Sequence, residues 1–169
     1  MVEDVVRSLG YLTLGSRMKR IGERLQGQAQ AMLAEADVSV SAAHFPVLAA
    51  LDRLGPLSVG ELAQAVGISQ PGVTRMLDKL AFEGWVKSKQ PAGDRRLRSI
   101  VLTRSGRQLV ARAKQLLWPR IEAAVADACA GVSGPLLAQL AAIEAALAAS
   151  PLRMRAARVF ARDRRHAVS

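Results

Sequence analysis

Ser58-Val-Gly-Glu-Leu-Ala-Gln-Ala-Val-Gly-Ile-Ser69 and its continuation Gln70-Pro-Gly-Val-Thr-Arg-Met-Leu-Asp-Lys-Leu80 form the stretch that decides the fold. Ser58 to Glu61 has the Ser-x-x-Glu form of a capping box, in which serine and glutamate side chains satisfy each other's free amides at a helix start. A short helix to about Val66 follows. Gly67 suits the left-handed residue that closes a helix, and Ser69 suits the N-cap of the next one. In that second helix Val73, Met76, Leu77 and Leu80 recur at i, i+3, i+4 and i+7, a single buried stripe. Two helices meeting at a tight glycine turn match the helix-turn-helix plan, whose second helix enters the major groove of DNA. An ordinary helical hairpin shares that connection, so the outward face has to separate the two readings.

With the stripe buried, the second helix leaves Gln70, Pro71, Gly72, Thr74, Arg75, Asp78 and Lys79 outside. Gln pairs bidentately with adenine, Arg with guanine, and the Thr methyl meets the thymine methyl, while free amides at Ser69 suit a phosphate. Beyond Gly84, the runs Trp85–Lys89 and Arg98–Leu102 flank the turn-rich Pro91-Ala-Gly-Asp-Arg-Arg96, which reads as a two-stranded hairpin. Around it Lys87, Lys89, Arg95, Arg96, Arg98, Arg104 and Arg107 stand against one acid, Asp94. An arginine-bearing tip can enter a minor groove and flanking lysines can neutralise phosphates. Asp94 would repel phosphate, so its expected job is to order the tip around Arg96.

Outward from this centre the chain reads as long helices. From Glu3 to about Ala36 apolar residues recur at helical spacing, interrupted by Gly10, Gly15, Gly22 and Gly27, each costing about 1 kcal/mol against alanine. A helix this poor in propensity needs packing to hold it. His44 to Leu54 carries Phe45, Val47, Leu48, Leu51 and Leu54 and ends at Gly55-Pro56. Thr103 caps a fifth helix reaching about Ala130, roughly 40 Å long and bent at Pro119. Ser133-Gly-Pro135 opens a sixth with Leu136, Leu137, Leu140, Ile143, Ala146 and Leu147, stopped by Pro151.

Leu62-Ala63, Val66-Gly-Ile-Ser-Gln-Pro71, Val73-Thr-Arg75, Leu80, Glu83-Gly84, Asp94-Arg-Arg96 and Leu102-Thr103-x-x-Gly106, in this order and spacing, resemble the signature of the MarR (multiple antibiotic resistance regulator) family. The resemblance implies a mainly α winged helix-turn-helix: dimerisation helices over 1–36 and 103–150, a DNA-binding region over 37–102 with a two-stranded wing, and a basic tail over 151–169. It implies a homodimer on a pseudo-palindromic operator, with Ser69, Gln70, Pro71, Gly72, Thr74, Arg75, Lys79, Lys87, Arg95, Arg96 and Arg98 at the DNA and Arg96 as the wing arginine. Relatives of this kind usually repress genes and let go when a small aromatic or anionic effector binds between the dimer base and the DNA-binding lobe, or when a cysteine is oxidised. His44 falls near that position, and Arg17 with Met18 and Trp118 is expected to approach the same cleft; Arg17 and His44 are the candidate effector residues.

Composition agrees with a polyanionic partner. Lys and Arg number 24 against 14 Asp and Glu, giving a formal charge of +10, and half of the 169 residues are hydrophobic, enough for a core without metal or disulfide. Arg153, Arg155, Arg158, Arg162, Arg164 and Arg165 against Asp163 place half of that charge in the tail, where auxiliary DNA contact is favoured over membrane attachment. Cys129 is the only cysteine, flanked by alanines and far from the first helix that carries the reactive thiol in hydroperoxide-sensing relatives, so a small buried residue is the preferred reading. His44 and His166 lie far apart, leaving no visible metal set, no cofactor is expected, and general acid-base chemistry has few candidates, which argues against an enzyme. No apolar run suits a signal peptide or membrane span, so a cytoplasmic location is expected. Two other classes compete: an architectural nucleic-acid binder with little sequence preference, and a regulator acting through protein contact alone.

Overall fold

The computed structural model describes residues 2–89 and 99–158. Helix α1 (Val5–Ser8) is followed by a 3₁₀ turn (Gly10–Thr13) and the long α2 (Leu14–Glu35). The expected continuous first helix is therefore broken. Gly10 stands at φ +57, and the Thr13 hydroxyl donates to the Val6 carbonyl at 2.7 Å across the break. A 3₁₀ turn (Ala42–His44) leads into α3 (Phe45–Leu54), which has Pro46 in its first turn, where a missing N–H costs nothing.

Helices α4 (Val59–Val66) and α5 (Gln70–Phe82) follow, then strands β1 (Val86–Lys89) and β2 (Ser99–Leu102). The strands pair antiparallel with Val86 opposite Leu102 and Lys89 opposite Ser99. Leu57 adds a bridge to the outer side of β2, exchanging hydrogen bonds with Ile100 at 3.2 and 2.7 Å. That bridge, which ties the start of α4 to the sheet, has no counterpart in the sequence reading.

The expected fifth helix is divided into α6 (Arg104–Arg112), one π-helical turn (Ala113–Leu117) and α7 (Trp118–Ala128). Pro119 has no N–H to donate one turn back, and its ring crowds the preceding carbonyls, so the irregularity falls in the turn before it. The turn is tied down: Lys114 ion-pairs with Asp52 of α3, and Arg112, immediately before the turn, donates to the Ala36 carbonyl that ends α2, at 3.2 Å.

One apolar core joins these elements. Leu33, Val40, Val47, Leu48, Leu62, Val73, Leu80 and Val110 are fully buried, so every helix from α2 to α6 contributes to it. The chain divides into two units, Met1–Ala126 and Asp127–Ser169. In the second, α8 (Leu136–Ala149) carries a single charge, Glu144, and exposes Leu137, Ile143 and Leu147. A further helix, α9 (Leu152–Arg158), occupies the start of the expected tail. Its Arg155 closes the end of α8, donating to the Ser150 carbonyl at 2.9 Å and to the Ala146 carbonyl, while Arg158 donates to the Ser150 hydroxyl at 2.9 Å. Among the described residues no single helix is long and apolar enough to cross a membrane; α8 and α9 reach that length only as a pair bent by 83°.

Candidate nucleic-acid interface

The local chemistry that orients α5 begins at Ser58. Its hydroxyl oxygen accepts from the Glu61 N–H at 3.2 Å, and the Glu61 carboxylate accepts from the Ser58 N–H at 2.7 Å. These bonds hold the Glu61 carboxyl below the usual carboxylate range. Gly67 then takes φ +69, ψ 26, a conformation that a side chain resists, and turns the chain from α4 into α5. Ser69 caps α5 by accepting from the Gly72 N–H, a long bond at 3.4 Å.

Burial then sorts the helix as its spacing demands. Val73, Leu77 and Leu80 are buried and Met76 half-buried, whereas Ser69, Gln70, Pro71, Thr74, Arg75 and Lys79 are exposed and Gly72 partly so. Two of the exposed side chains are engaged within the protein. The Thr74 hydroxyl donates to the Gln70 carbonyl at 3.0 Å, and the Gln70 amide lies against α4, 3.3 Å from where a Cβ on Gly60 would stand. Arg75 and Lys79 are exposed on the same helix.

On β1, Lys87 and Lys89 are exposed. Behind them Arg107, counted among the wing's cations, donates to the Leu102 carbonyl at 3.0 Å and so helps to fix the sheet on α6. The remaining wing candidates, Asp94, Arg95, Arg96 and Arg98, lie outside the described residues.

The two effector candidates are not brought together. Arg17 is exposed on α2. His44 is 8% exposed, its Nδ1 has no hydrogen-bond partner among the described residues, and the charges that reach it are Lys79 of α5 and Glu83 just beyond it. Burial, then Lys79, lowers its pKa, with Glu83 opposing. The place of His44 at the start of α3 suggests a cleft position; the charges that act on it come from the end of the helix-turn-helix.

A cleft between α2, α3 and α7 is apolar. It measures about 310 Å³ and is lined by Ala29 and Leu33 of α2, Phe45 and Ala49 of α3, and Trp118 and Ile121 of α7, among others; neither Arg17 nor His44 is in its lining. Phe45 and Trp118 meet edge to face, ring centroids 6.1 Å apart at 84°. Trp118 lines this cleft. Phe45 and Ile121 have only their place in helical stripes to mark them, a signal that core residues share. Among the described residues no group of three or more His, Cys, Asp or Glu side chains could hold a metal ion.

Comparison with known proteins meets this geometry at the same segment. Residues 40–97 match the model of the MarR family. Uncharacterized HTH-type transcriptional regulators of Bacillus cereus and Bacillus anthracis are 36% identical over 74 residues, 44% of this chain and 48% of theirs. The chain thus spans about half the length of the curated relatives it matches. Over a longer range it is similar to the transcriptional repressor CouR solved on a 23-mer DNA duplex, with 28% identity, a TM-score of 0.66, and coverage of 85% of this chain and 99% of that one. The fold is also that of a cysteine-to-serine mutant of E. coli MarR in complex with operator DNA, at 20% identity, TM-score 0.66 and coverage of 86% and 99%. Residues 40–97 are thus a MarR-family segment, and the described helices around it follow the winged helix-turn-helix of these structures.

Proposed function

We propose that the protein is a dimeric, sequence-specific DNA-binding transcription regulator, a repressor that leaves its operator when a small aromatic ligand enters the apolar cleft. The observation that carries the DNA reading is the exposed face of α5, with Gln70, Thr74, Arg75 and Lys79 outside and Lys87 and Lys89 on the adjoining strand. Its likeness to CouR, whose structure holds a 23-mer duplex, supports the same partner for this chain. In this reading Ser69, Gln70, Pro71, Gly72, Thr74 and Arg75 meet bases and the nearest phosphates. Lys79, Lys87, Arg95, Arg96 and Arg98 clamp the backbone or a minor groove, with Asp94 ordering the tip. Acting on DNA carries with it the cytoplasmic location, and a regulator rather than an enzyme.

Exposed Ile21 and Leu25 on α2, and Leu137, Ile143 and Leu147 on α8, support a second copy as the cover for these apolar side chains. The lining of the cleft supports an aromatic effector and supplies no cation for an anionic one.

A titration of the purified protein against its own upstream intergenic DNA and a scrambled duplex, at two salt concentrations, tests the reading. A preference of about 10³ or more, with affinity falling steeply as salt rises, is the expected result. Equal affinity for both duplexes would favour an architectural binder, and binding to neither would leave a protein-contact regulator.

A further inference from the structure

The first turns of α5 limit what the helix can offer to a base edge. Thr74 has one hydroxyl proton, and Oγ1 gives it to the Gln70 carbonyl one turn back. The Gln70 amide is folded against Gly60 of α4, and the Ser69 hydroxyl oxygen accepts from Gly72. With the hydroxyl proton of exposed Thr74 committed to the helix backbone, its methyl is the group left to meet a base. Thr74 borders a groove of about 280 Å³ between α5 and β1, in company with Leu77 and Ala81.

We propose that Thr74 reads a thymine through its methyl group alone, Cγ2 packing on the C5-methyl in the major groove while the hydroxyl takes no part. This rests on the DNA-reading role of α5 and adds to it the chemical feature recognised at one base pair. A hydroxyl reader accepts from or donates to several base edges; a methyl reader requires only a carbon substituent at C5 of a pyrimidine. Replacing thymine by deoxyuridine keeps every hydrogen-bonding atom of the pair and removes only that carbon. Losing the burial of one methyl corresponds to about a fourfold loss of affinity per recognition helix.

The test uses a duplex selected by the full-length protein from a random-sequence pool, with each thymine replaced in turn by deoxyuridine. Affinities are measured for the wild type, Thr74→Val and Thr74→Ser. The expected result is a thymine at which the wild type and Thr74→Val each lose about fourfold on replacement, and Thr74→Ser loses nothing. Discrimination kept by Thr74→Ser and lost by Thr74→Val would assign the reading to the hydroxyl and overturn the proposal. A selected site at which no thymine behaves as expected would overturn the methyl contact alone and leave the DNA-reading function standing. Failure to select any preferred sequence would sink that function, and this inference with it.

Discussion

Gly106, in the first turn of α6, lies so close to Trp85 that a Cβ built on it would stand 2.0 Å from the Trp85 carbonyl oxygen. The approach is held by Thr103, whose hydroxyl donates to the Gly84 carbonyl at 2.7 Å and accepts from the Gly106 N–H at 3.0 Å, and whose own N–H donates to the Trp85 carbonyl at 3.0 Å. Here α6 is locked onto the base of the wing. Backbone atoms cannot yield as a flexible side chain can, so Gly106→Ala should force the helix away and cost about 1–3 kcal/mol. Thermal unfolding at fixed protein concentration measures the loss; an unchanged midpoint would mean that α6 and the wing are not held at this distance.

His44 makes stability depend on pH. Its folded pKa is lowered, so the folded state favours the neutral ring and binds protons less readily than the unfolded chain. Stability is accordingly full above the ordinary histidine pKa of about 6.5 and declines as pH falls through that value toward the lowered one. The carboxyls of Asp4 and Glu61, also lowered, act only further down, near the ordinary carboxylate range and below it. Urea midpoints should therefore fall between about pH 7.5 and about pH 5.5 for the wild type, a window that brackets the ordinary histidine pKa, and change much less for His44→Gln. Equal declines in both proteins would remove His44 as the cause.

Arg75 and Lys87 should fail differently. Arg75→Ala removes a bidentate reader, costing about 1–3 kcal/mol on the preferred duplex and relaxing choice at one base pair. Lys87→Ala removes a phosphate contact, weakening every duplex alike and reducing the slope of log affinity against log salt by about 1. Titrations of both variants on preferred and scrambled duplexes separate the roles.

The lining of the apolar cleft predicts its selectivity. A neutral aromatic such as 2-naphthol should quench Trp118 fluorescence at lower concentration than its carboxylate counterpart 2-naphthoate, because no cation in the lining repays the desolvation of an anion. Trp118→Phe should abolish the response, isolating it from Trp85. Tighter binding of 2-naphthoate would place a cation at the cleft and return Arg17 to consideration.

The helix-turn-helix was legible because its signals are local. A capping box from Ser58 to Glu61, a left-handed Gly67 and the Val73–Leu80 stripe each depend on residues within one or two turns, and the structure carries all three. Longer-range features left no such trace. The bridge from Leu57 to Ile100 joins residues far apart in the chain, and so does the influence of Lys79 and Glu83 on His44. Pro119 announced an irregular fifth helix, yet where its strain is absorbed is decided by what Ala113, Lys114 and Leu117 touch. The cleft was half legible for the same reason: Phe45, Ile121 and Leu33 look alike as sequence whether they face the core or a cavity.

The π-helical turn over Ala113–Leu117 sets the angular phase of the start of α7. A turn of this kind holds one residue more than an α-turn, and each residue advances a helix by about 100°. Deleting one exposed residue there, Gln115, would restore the regular winding. Trp118 and Ile121 would then swing round the axis by about that angle relative to Lys114, which is anchored to Asp52. Both would leave the wall they share with Phe45. A single inserted residue in the fifth helix thus keeps the aromatic wall of the cleft aimed at α3.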